Sequence, residues 1–201
     1  MYGLPESTLL RRQIAKGAIF KQCDITPAQR RLVDAQIVRI DIVACLSPDT
    51  LPAISTGQTI PAIYVLTVTL RGRQYAPDSI ALLARIIPQR MLFVLRYEEE
   101  VQLAVLHEGL HTGSWCRADE LQIPIRGLTL DAVWETIVAT VAEINLTGEQ
   151  TLEEEIEIQQ ERAKLQKQIA RLKGQIRRER SIGRKMELRA ELNRMKSKMR
   201  D

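Results

Sequence analysis

The fold is decided by Ile60-Pro-Ala-Ile-Tyr-Val-Leu-Thr-Val-Thr-Leu70, which is rich in β-branched and aromatic residues. Charge returns only beyond its far end, at Arg71-Gly-Arg73. Such a composition is typical of a β-strand that packs against neighbours on both faces. We therefore expect this stretch to form a central strand, with the rest of the fold arranged around it.

Further strands are predicted before and after this one. Ile and Val dominate residues 38–46 until a Ser-Pro pair stops the run. Residues 90–97 and 101–107 are apolar runs joined by three glutamates, a connection too short for a crossover, so these strands should be antiparallel. Residues 121–125 are expected to form an edge strand, because Pro124 cannot donate a ladder hydrogen bond.

Four helices are predicted from caps and from apolar residues at helical spacing. They cover residues 7–18, 26–36, 77–87 and 128–144. The sequence thus predicts an α+β globular domain over residues 1–148, in which a mixed or antiparallel sheet of four to five strands packs with helices. Residues 149–201 are predicted to form a separate, basic tail.

Composition narrows the class of protein. The 201 residues are 45% hydrophobic and 27% charged, which suits a globular domain with a sizeable core. Cys23, Cys45 and Cys116 show no C-x-x-C spacing, so neither a disulfide framework nor a cysteine-based zinc site is expected. The opening residues lack the pattern of a signal peptide, and no apolar run is long enough to cross a bilayer. We expect a cytoplasmic protein with no role in a membrane.

Charge is distributed unevenly along the chain. Residues 1–150 carry a net charge of −2, whereas residues 151–201 carry +6. Acidic residues come first in the tail, so Arg162–Arg200 holds 15 basic and three acidic side chains. This surplus attracts polyanions, of which nucleic acid is the commonest inside cells. The alternative is that these charges only solvate a long helix, which basic residues also favour.

The tail carries two apolar seams at helical spacing. The first consists of Leu165, Ile169, Leu172 and Ile176, and the second of Leu188, Leu192, Met195 and Met199. The seams are out of phase with one seven-residue repeat, and a glycine between them disfavours a continuous helix. We predict a coiled-coil helix or, if the chain reverses at Ser181–Gly183, a helical hairpin. Either form must contact something, because so few apolar layers cannot hold a lone helix in water.

One string matches a metal-site motif, since His107-Glu108-Gly109-Leu110-His111 is a literal H-E-x-x-H. On a helix the two histidines would share one face and could hold zinc, while Glu108 activated the bound water. The string follows an alternating strand, however, and Gly109 disfavours a helix. In one extended strand the histidines would lie about 13 Å apart, too far to share a zinc ion. A zinc-dependent hydrolase using His107, Glu108 and His111 is kept as an alternative.

Other catalytic constellations are incomplete. Asp41 could begin a nuclease site that pairs an aspartate with Glu-x-Lys on the next strand, but that strand offers Thr67 and Thr69. No glycine-rich phosphate cradle occurs. The cysteines are expected to be buried thiols, and Trp115 and Trp134 to be packing anchors. We predict a protein without catalytic residues, metal ligands or a cofactor.

An ordered set of segments carries a resemblance across nearly the whole chain. The segments are Tyr2-Gly-Leu-Pro5, Ala18-Ile-Phe-Lys21, Arg39-Ile-Asp-Ile-Val43, Met91-Leu-Phe-Val-Leu95, Leu128-Thr-Leu-Asp-Ala-Val-Trp134 and the Glu- to Lys-rich tail. Together they resemble an uncharacterised prokaryotic family catalogued as domain of unknown function 4391. The resemblance implies a cytoplasmic protein encoded near helicases and methyltransferases of restriction-type or phage-defence loci, with no established catalytic residues. It also implies that the family's own sequence at the stretch corresponding to residues 107–111 is not H-E-x-x-H, which weakens the zinc interpretation.

These observations predict a non-enzymatic accessory or scaffold subunit. Its globular domain would dock on a protein partner, a helicase or methyltransferase subunit of the same locus, while its tail contacts DNA or RNA backbone. The contacts would neutralise phosphates without reading bases, through Arg171, Lys173, Arg177, Arg178, Arg180, Arg184 and Lys185. A further alternative is an assembly protein that forms a homo-oligomer through its C-terminal helices and makes no nucleic-acid contact.

Overall fold

The computed structural model describes residues 1–21, 25–87, 89–144, 156, 164, 168–179 and 181–198. Contacts within the chain separate two compact units, Met1–Asn145 and Leu146–Asp201. The domain boundary predicted after residue 148 lies outside the described residues. The first unit is an α+β domain with a mixed sheet, as predicted.

The sheet has seven strands rather than the predicted four to five. They are β1 (Leu9–Ile14), β2 (Ile37–Leu46), β3 (Ile63–Leu70), β4 (Arg90–Tyr97), β5 (Glu100–His107), β6 (Gly109–Thr112) and β7 (Cys116–Arg117). Strands β1 to β6 lie side by side in chain order, and β7 also pairs with β5. The β3–β4 pair is parallel, and the other pairs are antiparallel. Most of the stretch over residues 60–70 therefore forms a central strand, β3, between β2 and β4, as predicted.

The prediction of a helix over residues 7–18 is wrong. Glu6–Thr8 form a short 3-10 helix, Leu9–Ile14 form β1, and a helix begins only at Lys16. Leu10 and Ile14 are four residues apart, a spacing that fits one face of a helix and also one face of a strand. Pairing of β1 with β2 decides between the two.

The other edge of the sheet also differs from the prediction. Residues 121–125 form no strand, and one backbone hydrogen bond joins Ile123 N to the carbonyl oxygen of Tyr2 at 3.0 Å. Strands β6 and β7 lie at this edge instead, and both are too short to show a sequence period. A tight turn at Glu108, with φ of 55°, leads from β5 into β6.

The helices of the first unit are α1 (Lys16–Lys21), α2 (Pro27–Gln36), α3 (Pro77–Ile86) and α4 (Leu130–Val141). Helices α2, α3 and α4 confirm three of the predicted helices. At the start of α2, the Thr26 hydroxyl accepts a hydrogen bond from Gln29 N while the Gln29 side chain accepts one from Thr26 N, a capping box. The hydroxyl of Thr129 similarly caps α4 by accepting from Ala132 N.

Helices cover both faces of the sheet, because successive residues of a strand point to opposite sides. Leu66 and Val68 of β3 belong to a buried cluster with Val33 of α2 and Ile80 of α3. On the other face, the Arg90 guanidinium at the start of β4 lies 5.6 Å from the ring centre of Trp134 in α4. The first unit is thus a helix–sheet–helix arrangement, in which α4 lies opposite α2 and α3.

The described part of the second unit is helical. Helix α5 includes residues 168–178, and helix α6 is Ile182–Lys198. The helical structure is interrupted at Glu179 and Ser181, so the break lies just before Gly183, which belongs to the first turn of α6. Among the described residues, no helix is both long and apolar enough to cross a membrane.

Candidate nucleic-acid interface

The apolar seam of α5 lies on one side of the helix. A rotation of about 100° per residue places Ile169, Leu172 and Ile176 on that side. Ile169 and Leu172 are each 7% exposed, and Ile176 is half-buried. Leu165, the first residue of the predicted seam, lies outside the described residues. Other parts of the chain therefore shield the seam from solvent at Ile169 and Leu172.

Four predicted contact residues occupy the remaining circumference of α5. Arg171, Lys173, Arg177 and Arg178 are all exposed. Within the described part of the chain, no carboxylate lies within ion-pair distance of these four side chains. Arg171 and Arg178 are seven residues apart, so they lie on one face about 10 Å apart along the axis. Helix α5 thus presents a positive strip, defined by these four residues, that extends from Lys173 at the border of the seam to Arg171 and Arg178 on the opposite side.

The predicted contacts in α6 are placed differently. Arg184 and Lys185 precede Leu188 by four and three residues, so they lie on the same side of the helix as the second seam. Arg184 is exposed, whereas Lys185 and Leu188 are half-buried. Arg180 and Met199 lie outside the described residues. The six predicted residues that the structure describes are therefore distributed over two helices and do not share one helix face.

The H-E-x-x-H string forms a tight β-hairpin and not a helix. His107 ends β5, the chain reverses at Glu108, and His111 lies on β6 opposite Val105. The His111 Nε2 atom lies 3.0 Å from the carbonyl oxygen of His107. The expectation of one extended strand across both histidines is wrong because of this reversal. No group of three or more His, Cys, Asp or Glu that could hold a metal ion occurs among the described residues.

Asp41 of β2 lies directly opposite Thr67 of β3. A nuclease site of the predicted type needs its aspartate and its Glu-x-Lys on neighbouring strands, and β2 and β3 are neighbours. The strand β3, however, carries Thr67 and Thr69 where such a site needs a second carboxylate and a lysine. Arg39 also binds Asp41, with its Nε atom 2.8 Å from Oδ1 and 2.7 Å from Oδ2. The described residues at this position therefore lack the paired carboxylates of a metal-dependent nuclease.

The cysteines described in the structure are Cys45 and Cys116, and both are partly buried. Burial raises the pKa of the Cys45 thiol, and hydrogen bonds with Tyr64 and Ser47 offset only part of that effect. Burial, followed by the charge of Glu120, raises the pKa of Cys116. Both thiols are therefore protonated at neutral pH and are poor nucleophiles. The third cysteine, at position 23, lies outside the described residues.

Both tryptophans contact arginines. Trp134 is 3% exposed, which confirms its prediction as a packing residue. Trp115 is half-buried, and the Arg73 guanidinium lies 5.5 Å from its ring centre. Cation–π contacts of this kind fix the arginine over the ring. Because the partners are far apart in sequence, the sequence pattern does not reveal these pairs.

A groove of about 670 Å³ on the face of the sheet has no counterpart among the sequence predictions. Its polar lining includes Arg39 and Asp41 of β2, Thr67 and Thr69 of β3, and Arg96 of β4. The sequence does contain one indication of this groove: the polar residues Arg39 and Asp41, like Thr67 and Thr69, are two positions apart, so each pair lies on one face of its strand. That spacing alone does not show which strands are neighbours.

The comparisons with known proteins give one match. A family model described as Domain of unknown function (DUF4391) matches residues 2–199. No curated protein and no solved structure matches the chain. The family match confirms the resemblance carried by the ordered segments of the sequence. Because the matched span includes nearly all of the chain, the protein belongs to the family described as Domain of unknown function (DUF4391).

Proposed function

We propose that the protein is a non-enzymatic accessory or scaffold subunit whose C-terminal helices bind the phosphate backbone of nucleic acid. The positive strip of α5 is the observation that carries this proposal, because its four side chains are exposed and have no carboxylate partner among the described residues. The net charge of +12 over Arg162–Arg200 adds attraction at longer range.

Binding of this kind follows from charge and not from base sequence. Each Lys or Arg that neutralises a phosphate releases condensed counterions, so affinity falls as salt rises. With the four residues of the α5 strip and Arg184 in contact, affinity for duplex DNA should fall by about two to three orders of magnitude between about 50 mM and about 200 mM salt. Different sequences of equal length should bind with similar affinity.

The apolar seams support the second part of the proposal, which is contact with a protein partner. The α5 seam is covered at Ile169 and Leu172, whereas Leu188 and Leu192 of α6 are only half-buried. Helix α6 is therefore the helix that would form a coiled-coil contact. Its partner would be a helix of a nucleic-acid-processing protein, such as a helicase or methyltransferase subunit. A second copy of this chain is the alternative occupant, and the molar mass in solution distinguishes the two.

The test measures binding of labelled duplex DNA and single-stranded RNA by fluorescence anisotropy at low salt. Reversing charge in the triple variant Arg177→Glu, Arg178→Glu, Arg184→Glu should weaken binding by about 100-fold or more. The matched control reverses Arg31, Arg85 and Arg126, which are exposed arginines of the first unit, and so changes the net charge by the same amount. Equal losses in the two variants, or no loss in the first, would show that the C-terminal helices are not the contact.

Light scattering separates the proposed function from pure assembly. An assembly protein would be oligomeric through residues 151–201 and would bind neither nucleic acid at low salt. The proposed accessory subunit binds nucleic acid whatever its molar mass. A chain that oligomerises through this segment and leaves both probes unbound would overturn the proposal.

A further inference from the structure

The sheet face that carries α4 changes from apolar to polar along its length. On β3, Ile63 and Val65 are fully buried, and the next two residues on the same face are Thr67 and Thr69. Threonine hydroxyls need hydrogen-bond partners when they are removed from water. The outer half of this central strand is therefore built to face polar groups.

The two neighbouring strands change at the same level. On β2, which runs antiparallel to β3, Ala44 is buried opposite Val65, whereas Asp41 and Arg39 lie opposite Thr67 and Thr69. On β4, the buried Val94 is followed by Arg96. On this face of the sheet, β2, β3 and β4 are therefore apolar over one half of their length and polar over the other half.

Register places two arginines on either side of one hydroxyl. Arg39 of β2 lies opposite Thr69 of β3, and Thr69 lies opposite Arg96 of β4. Neighbouring strands are about 4.8 Å apart, so the Cα atoms of the two arginines are about 10 Å apart. Long guanidinium side chains can close on one anion across that distance.

A second polar row lies beside the first. Gln13 of β1 is opposite Asp41, and Asp41 is opposite Thr67. The Thr67 hydroxyl lies 3.5 Å from the Tyr2 hydroxyl, and the residue Thr67 is 6% exposed. The bond from Arg39 Nε to Asp41 restrains the guanidinium and uses only one of its five N–H donors.

These rows line the sheet-face groove, whose volume of about 670 Å³ is that of a small-molecule site. Two arginines of this face, Arg39 and Arg96, line it together with a single carboxylate, Asp41, so these side chains sum to one positive charge. Arg12 also lines the groove, but it lies opposite Ile42 and therefore belongs to the other face of the sheet. No carboxylate of the described residues pairs with Arg96. The Nε atom of Arg96 donates to the carbonyl oxygen of Glu98 at 3.0 Å, which restrains this side chain as well.

We propose that the groove binds a phosphate ester, supplied either by a nucleotide or by the backbone of a nucleic-acid strand. Guanidinium groups bind phosphate oxygens through paired N–H donors, and hydroxyl groups add further donors. Arg39 and Arg96 contact the phosphate from either side of Thr69. A divalent cation is a poorer occupant, because the lining is positive and carries one carboxylate. This site belongs to the first unit and is independent of the positive strip of α5.

The experiment is isothermal titration calorimetry on the full chain at low salt, with AMP and a short oligothymidylate as probes. Arg39→Ala and Arg96→Ala should each weaken binding by about tenfold or more, as expected when a charged hydrogen-bond donor is lost. Arg31→Ala, an exposed arginine on α2 and therefore on the other face, is the matched control and should change affinity by less than about twofold. Thr69→Val, which removes the central hydroxyl and keeps a β-branched side chain, should also weaken binding. Melting temperatures near that of the parent chain confirm that each variant is folded.

The two probes distinguish the source of the phosphate. Binding of AMP indicates a nucleotide site, whereas binding of oligothymidylate without AMP indicates a strand-binding groove. The variant Arg177→Gln, Arg178→Gln, Arg184→Gln separates this site from the C-terminal helices. Loss of binding in that variant alone would overturn the groove proposal and leave the proposed function standing. Failure of the parent chain to bind either probe would also overturn it.

Discussion

Thr59 and Asp131 join the loop before β3 to the first turn of α4, since the Thr59 hydroxyl donates to Asp131 Oδ1 at 2.9 Å. The backbone N–H groups of Gln58, Thr59 and Ile60 donate to the same carboxylate, at 2.5, 3.3 and 3.1 Å. One side chain thus satisfies three amides of a segment that belongs to neither a helix nor a strand. This carboxylate therefore holds the loop that leads into β3 against the first turn of α4.

Removing the carboxylate should destabilise the first unit. We expect Asp131→Ala to lower the free energy of unfolding by about 1–3 kcal/mol, because three backbone donors and one hydroxyl lose their acceptor. Urea denaturation measures the change. Glu135→Ala, at an exposed position of the same helix, is the control and should stay within about 0.5 kcal/mol of the parent chain. A loss no larger than that of the control would contradict this role for Asp131.

The same carboxylate predicts a dependence of stability on pH. Desolvation alone would raise the pKa of Asp131, but the hydrogen bonds from Thr59 and from the backbone amides favour the ionised form and hold the pKa below its usual value. A pKa that is lower in the folded state contributes stability that is present above the unfolded value, about 3.9, and is lost as pH falls through the folded value. The difference in unfolding free energy between the parent chain and Asp131→Asn should therefore shrink at about pH 3. A difference that stays constant from neutral pH to about pH 3 would refute the linkage.

Gly57 should resist substitution because it lies against this carboxylate. A Cβ atom at Gly57 would overlap the Asp131 side-chain oxygens. The carboxylate cannot move away without losing its hydrogen bonds, so we expect Gly57→Ala to cost about 1–2 kcal/mol. Thermal unfolding gives the measurement.

Gly174→Ala is the matched comparison for that substitution. Gly174 lies inside α5, and a Cβ atom there would have no heavy atom within 4 Å. Alanine is the better helix former, so this substitution should favour the helix by about 0.5–1 kcal/mol. Far-ultraviolet circular dichroism on heating follows the change. Similar effects of the same sign at both glycines would contradict the contact argument at Gly57.

The β-hairpin at His107 and His111 predicts a chain without stoichiometric zinc. The two imidazoles belong to paired strands on either side of a tight turn and do not share a helix face. Metal analysis of the purified protein should find well below one zinc ion per chain, with no difference in His111→Ala. Zinc at one equivalent that disappears in His111→Ala would restore the zinc-dependent hydrolase as the leading interpretation.

Local sequence rules predicted the elements whose signals are unambiguous over many residues. The capping box at Thr26, the prolines that begin α2 and α3, and the β-branched run of β3 each act within a few residues, so their structures could be predicted. The helix expected over residues 7–18 failed because its apolar spacing fits either period and pairing with β2 decided the outcome. Strands β6 and β7 depend on a turn at Glu108 and on pairing with β5, neither of which composition encodes.

The sequence by itself determined the central strand, the starts of α2 and α3, the class of the first unit and the uneven distribution of charge, because these depend on neighbouring residues or on simple counts. Only the tertiary structure decided which side chains meet. It placed Arg39, Thr69 and Arg96 in one row, joined Asp131 to the loop at Thr59, and brought the His111 ring to 3.0 Å from the His107 carbonyl oxygen across a turn. The physical reason is that register and the packing of helices on a sheet bring together residues far apart in the chain, and no local preference specifies those pairs.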